Sequence, residues 1–223
     1  MKLLFVSLFV IFALLYIETE STLGLDISTT DCGEITLDQW KCHVNEGKEF
    51  AIVEAFRGGY QIGEHLVECV ANAWKAGMKH VDVYVFMCPN CRGNNPPETA
   101  VKTIVNYLSE HNVKYGMMWF DIELCTGCWN SASENAQWIK RAVDQAKSMG
   151  VNVGIYSSHY EWGATVGSYE GFKDLPQWYA HYDNNPSFSD SWAYQYGGWT
   201  KPSIKQYNDH STNCYTNVDV DYY

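Results

Sequence analysis

The sequence predicts an α/β barrel of eight strands whose outer helical layer is incomplete. Three observations predict it. Short apolar runs alternate with helically spaced segments through the first two thirds of the chain, a pattern that builds parallel sheet. Several runs are apolar on both faces, as strands covered on both sides are. The last three runs are separated by loops instead of long helices. At 223 residues the chain suits one large domain of this kind. No repeat, low-complexity stretch or linker divides it.

The predicted strands cover residues 23–28, 50–56, 80–86, 115–123, 152–158, 177–182, 203–207 and 218–223. Helices fall between the first five. Thr36 and Gln39 form a T-x-x-Q capping box, and Gly47 ends that helix. Residues 62–76 have helical spacing and stop at Gly77. Pro96 and Pro97 open a helix to Glu110, because proline fits the first turn. Ser133 is the predicted cap of a helix that stops at Gly150.

The chain starts with Met1, Lys2 and an apolar run over 3–17, the form of a secretory signal peptide. Cleavage is expected after Ser21, leaving a barrel domain over 22–223. The run is short for a membrane span, so the mature chain is expected off the membrane and secreted, or in a lysosomal or phagosomal lumen. Removal of Lys2, Glu18 and Glu20 changes the formal charge from −11 to −10. That surface argues against nucleic acid, whose phosphates need Lys and Arg. A polymer substrate would be held by stacking and hydrogen bonds instead. Sixteen Tyr and nine Trp supply stacking surface beyond a core's need. The eight Cys point to disulfides in an exported chain, with their pairing open. The set Cys88-x-x-Cys91 and Cys125-x-x-Cys128 is read as disulfides stiffening two loops at the barrel mouth, in preference to zinc or thiol redox chemistry.

The strongest chemical signal is Trp119-Phe120-Asp121-Ile122-Glu123. Two carboxylates one residue apart on a strand share a face, with Cα atoms roughly 6–7 Å apart. Their repulsion is expected to raise one pKa and leave an acid and a base, the division of labour that glycosidic cleavage uses. They sit at the C-terminal end of their strand, where barrel active sites lie. Asp26 lies late in the first strand and Asp219 lies in the last. First and last strands of a closed barrel are neighbours, so these two acids are expected beside the same mouth. Tyr84, Phe86, Tyr156, Trp178 and Tyr182 fall near strand ends. Of these, Tyr84, Tyr156 and Trp178 are predicted to touch sugar, together with Asp183 and Gln206. No H-E-x-x-H, G-x-S-x-G or phosphate loop is present. No metal or cofactor is expected.

Six segments occur in order: Gly-Leu-Asp-Ile-Ser from Gly24, Trp-Phe-Asp-Ile-Glu from Trp119, Gly-Ile-Tyr-Ser from Gly154, Trp-Tyr-Ala-His-Tyr from Trp178, Lys-Gln-Tyr from Lys205 and Val-Asp-Val-Asp-Tyr from Val218. Together they resemble the glycoside hydrolase family 25 lysozymes, from Leu23 to Tyr223. The resemblance implies a flattened single-domain TIM-like (β/α)5(β)3 barrel and N-acetylmuramidase activity on bacterial peptidoglycan. Separately, the chain is expected to be a monomer. It puts the four acidic positions on Asp26, Asp121, Glu123 and Asp219. Asp221 departs from the family, which often has Asn there. Glu123 is then the expected general acid, and Asp121 would orient the substrate's N-acetyl group. Asp26 and Asp219 would position hydroxyls. Direct inversion or a covalent route stays open. Chitinase-like cleavage and a non-catalytic carbohydrate-binding barrel are the competing readings.

Overall fold

The computed structural model describes residues 21–58 and 62–223. The expected signal peptide therefore lies outside the described residues, except for Ser21. The elements follow in order. Leu23–Ile27 (β1) leads to the short helix Thr29–Cys32 (α1) and to Leu37–Asn45 (α2). Lys48–Arg57 (β2), Leu66–Ala76 (α3), His80–Phe86 (β3) and Pro97–Glu110 (α4) come next. Met118–Asp121 (β4), Ala132–Ser148 (α5), Val153–Ser157 (β5) and His159–Val166 (α6) complete the helix-covered part. Gln177–Ala180 (β6), Ser191–Tyr194 (α7), Ile204–Ser211 (β7), a 3-10 turn at Asn213–Tyr215 and Val218–Tyr222 (β8) close the chain.

The eight strands form one closed barrel in sequence order. Strands β1 to β7 pair in parallel. Strand β8 runs antiparallel to both β7 and β1. Major helices follow each of the first five strands, and the last three carry none of comparable length. Among the described residues no helix is long and apolar enough to cross a membrane.

Side chains alternate across the barrel wall, as strand geometry requires. Phe50 and Ile52 of β2, Trp119 of β4, Tyr156 of β5, Trp178 of β6 and Ile204 of β7 pack together inside. Their neighbours Ala51, Val53, Phe120, Ile155 and Tyr179 join the larger core under the helices. The interior is filled by pairing a large side chain with a glycine on the next strand. Gly24 lies in register with Phe50, and Gly154 with Trp119. A Cβ at either glycine would meet the facing ring at 2.3 Å.

Several boundaries differ from the sequence reading: α3 begins at Leu66 and not at residue 62, and β7 runs on to Ser211. The cap of α5 is Ser131, not Ser133. Ser131 and Glu134 form the reciprocal capping box, which satisfies two backbone donors where Ser133 would satisfy one. Strand β4 is also shorter than the predicted 115–123, so Glu123 lies two residues beyond its end. The chain there still follows β5, because Ile122 N donates to Tyr156 O at 2.9 Å.

All eight cysteines are paired. Cys32–Cys69 ties α1 to α3, and Cys42–Cys214 ties α2 to the 3-10 turn. Cys88–Cys91 and Cys125–Cys128 staple the loops after β3 and β4. These loops abut: the four sulfurs lie within 4.8 Å of one another, and Asn90 N donates to Cys128 O at 3.1 Å.

Gly154→Ala is expected to lower unfolding stability by about 1–3 kcal/mol, the usual cost of overpacking a filled interior. Denaturant unfolding followed by tryptophan fluorescence measures it. A wild-type midpoint would mean that Trp119 has room to turn aside.

Candidate active site

The alternation that packs the barrel also selects its polar residues. Asp121 is two residues after Trp119, and Gln206 two after Ile204, so both point inward. Asp26 stands on β1 directly opposite Asp219 of β8. Because β8 runs backwards, its early residue Asp219 reaches the mouth that the other strands reach with their C-terminal ends. Asp221 lies one inward position deeper and is fully buried.

These side chains converge. Asp26, Tyr84, Asp121, Glu123, Tyr156, Trp178, Tyr182, Gln206 and Asp219 line one depression of about 100 Å³ at the C-terminal mouth. Eight of the nine predicted site residues are among them. The ninth, Asp183, does not line it. Asp183 lies past the end of β6 and accepts a 2.8 Å bond from Lys205 Nζ. Lys205 alternates with Gln206, points out of the barrel and is fully buried, so its ammonium needs a counter-charge. Asp190 Oδ2 supplies a second one at 2.8 Å. This ammonium sits against the Asp183 and Asp190 carboxylates, which with His181 form an acidic cluster.

Gln206 organises the depression. Its Nε2 donates to Asp26 Oδ2 at 2.7 Å and to Asp219 Oδ2 at 3.0 Å. Its Oε1 accepts from Tyr156 Oη at 2.6 Å and Tyr182 Oη at 3.1 Å. Tyr156 Oη also lies 3.5 Å from Glu123 Oε1. The indoles below are fixed by carboxylates: Trp178 Nε1 donates to Asp221 Oδ1 at 2.8 Å, and Trp119 Nε1 to Asp82 Oδ2 at 2.9 Å. Asp121 Oδ1 is buried with no hydrogen-bond partner among the described residues. Glu123 is positioned by its main chain. Its carbonyl accepts from Trp129 Nε1 at 2.7 Å, and the next amide, Leu124 N, donates to Glu161 Oε1 at 3.3 Å.

Crowded carboxyls with little water resist ionisation. Burial pushes Glu123 up to about 7, helped by the charge of Glu161. Burial and then Asp26 push Asp219 up to about 9. Asp26 is held well above the usual carboxylate range by burial and then by Asp221. Asp121 is likewise raised, by burial and then Glu123. Burial raises Asp221 to about 8. Repulsion within the Asp121–Glu123 pair is thus a secondary cause, and burial lifts both partners. Near neutral pH such a cluster holds protons it can donate, and Glu123 changes state there.

Sequence reasoning passed over three groups at the site. Tyr182, near a strand end, lines the depression and donates to Gln206 although the sequence does not single it out from the other aromatics. Asp221, in sequence only a departure from a motif, is buried beneath the site and accepts from the Trp178 indole. Glu161, whose charge acts on Glu123, lies on α6 and carried no signal of its own. Inward alternation along β8 would have placed Asp221 beside Asp219.

The model of a family described as Lysozyme-like protein 1 matches residues 18–207. The probable GH family 25 lysozyme 2 of Dictyostelium discoideum is 38% identical over 219 residues, covering 98% of this chain and 99% of that protein. Counting factor 45-1 of the same organism is also 38% identical, over all of this chain and 73% of its own length. Among solved structures, a bacterial lysozyme of Streptomyces coelicolor superposes with a TM-score of 0.72 at 21% identity, covering 92% of each chain, a likeness of fold. With this similarity along nearly its whole length, the chain belongs to the glycoside hydrolase family 25 lysozymes.

Proposed function

We propose that this protein is a secreted, monomeric lysozyme. It hydrolyses the β-1,4 bond between N-acetylmuramic acid and N-acetylglucosamine in bacterial peptidoglycan. One observation carries the reading: Asp26, Asp121, Glu123 and Asp219, distant in sequence, meet in one aromatic-walled depression. Eight cysteines paired in disulfides favour an oxidising compartment outside the cytosol.

Glu123 is the general acid. It is the site carboxyl poised near neutrality, and it sits at the edge of the depression, where a leaving oxygen can reach it. Asp121 orients the acetamido group of the sugar at the cleaved bond. Its unpartnered Oδ1 is an acceptor for that group's N–H. The carbonyl oxygen of the acetamido group then attacks the anomeric carbon as Glu123 protonates the departing oxygen. Water later opens the ring so formed, with Glu123 taking back a proton. Asp26 and Asp219, locked by Gln206, accept sugar hydroxyls. Tyr84, Tyr156 and Trp178 form the walls against which the ring lies.

Two outcomes test this. Glu123→Gln should clear bacterial walls about 10²–10⁴-fold more slowly than wild type while remaining folded, the usual contribution of a general acid. Turbidity clearance with identification of the new reducing ends measures it; release of ends from chitin but not from peptidoglycan would refute the substrate. The pH profile follows from the same group. Protonated Glu123 is the active form, so kcat/KM should be high below pH 7 and fall as pH rises through about 7. An optimum well above neutrality would contradict the acid assignment.

A further inference from the structure

The proposed reaction makes no use of the four cysteines at the barrel mouth. Cys88, Cys91, Cys125 and Cys128 bring their sulfurs within 4.8 Å of one another. They come from the loops that follow two neighbouring strands, β3 and β4. Both C-x-x-C segments take the same backbone form. Cys91 N donates to Cys88 O at 3.3 Å, and Cys128 N to Cys125 O at 3.2 Å. With end Cα atoms 5.1 and 5.4 Å apart, each segment is a four-residue turn. Gly127 supplies a φ of 74° inside the second turn, which a side chain would resist. The turns are docked on each other: Asn90 N donates to Cys128 O at 3.1 Å, and Asn90 Nδ2 to Asn130 Oδ1 at 3.0 Å.

The disulfides alone do not account for this contact. Each joins residues three positions apart, and so short a loop constrains the unfolded chain far less than a long one. Neither bond links one loop to the other, and two independent staples have no need to touch. A metal does need all four sulfurs together. Zinc–thiolate bonds of about 2.3 Å place the sulfurs of a tetrahedral site roughly 3.8 Å apart. Paired C-x-x-C turns are a recurring zinc-site spacing, and soft thiolates select zinc over calcium or magnesium. Cys88 and Cys128 are buried, while Cys91 and Cys125 are half-buried. The outer pair gives a reductant and a metal their way in.

We propose that Cys88, Cys91, Cys125 and Cys128 are a redox-gated zinc site: two disulfides when oxidised, one tetrathiolate zinc centre when reduced. Two equivalents of a dithiol reductant supply the four electrons. Both S–S bonds break, and each dithiol closes to its own disulfide. The four thiols so formed pass four protons to solvent as they bind one Zn²⁺. The metal then joins the β3 loop to the β4 loop, which the disulfides do not. Cys125 is two residues past Glu123, and Trp129, next after Cys128, donates its indole N–H to the Glu123 carbonyl at 2.7 Å. Zinc therefore holds the loop that carries Glu123 when the disulfides are lost. The metal site rests on the sulfurs alone. Its effect on a general acid rests on the lysozyme reading.

The test reduces the full chain with a water-soluble phosphine in the absence of air and titrates it with Co²⁺, then with Zn²⁺. Reduced wild type should take up one Co²⁺ per chain, with the strong thiolate-to-cobalt charge-transfer band and the visible bands of a tetrahedral site. One equivalent of Zn²⁺ should remove both. The oxidised chain should show neither. Cys88→Ser with Cys91→Ser should abolish the signal, whereas Cys32→Ser with Cys69→Ser, which removes a different disulfide, should keep it. Cys91→Ser alone, at a half-buried position, gives the same loss of the four-sulfur spectrum if the double variant does not fold. Refolding the reduced chain with Zn²⁺ and weighing it by native mass spectrometry should also give one zinc per chain. A reduced wild type without metal by both routes, or an unchanged cobalt spectrum in the Cys88 and Cys91 variants, would overturn the site. On bacterial walls the reduced, zinc-loaded chain should act several-fold faster than the reduced chain kept with a chelator. Equal rates would overturn the link to Glu123. If wild type leaves walls intact, the lysozyme reading falls, and the cobalt titration still decides the metal site.

Discussion

Everything at the mouth depends on one strand running the wrong way. Strand β8 enters the barrel antiparallel, between β7 and β1. An early residue of β8 therefore faces a late residue of β1, and Asp219 stands opposite Asp26. Had β8 run parallel, the residues at the mouth would have come from its other end, near Tyr222. The same reversal puts Asp221 beneath Asp219, where it fixes the Trp178 indole. Floor and rim of the depression are thus two consecutive inward positions of a single short strand.

The arrangement is costly in isolation. Several carboxyls are removed from water, and no Lys or Arg lines the depression. The fold tolerates them by keeping protons on them and by giving them neutral donors: the Gln206 amide for Asp26 and Asp219, and indole N–H groups for Asp82 and Asp221. Hydrogen-bonded neutral acids are far cheaper to bury than bare anions. Asp121 Oδ1 has no such donor. A buried acceptor without a partner is the kind of unmet demand that active sites keep and stable cores avoid. Stability is thus forgone at the position where a substrate N–H would restore it.

Much of this was legible in the sequence because strands have a period of two. Asp121, one inward position after Trp119, could be read without coordinates. The neighbouring of first and last strands brought in Asp26 and Asp219. Glu123 was placed on a strand that ends before it, yet at the mouth, because main-chain pairing with β5 continues past the end of β4 through Ile122. Asp183 stays off the depression because it answers Lys205, a buried cation 22 residues away, and nothing local in the sequence announces that demand. The α5 cap was misread by two residues because Ser131 and Ser133 both precede the helix, and the reciprocal bond to Glu134 separates them. The cysteine pairing was closed to sequence because it depends on which helices lie side by side.

The Cys42–Cys214 bond has a consequence for what a single backbone cut can do. It joins residues 172 positions apart, so most of the barrel is enclosed in a single covalent ring. A peptidase that nicks one surface loop inside that ring opens the chain without releasing either piece, and the strands on both sides of the cut stay at high effective concentration. A molecule built this way can be cut once and remain one molecule.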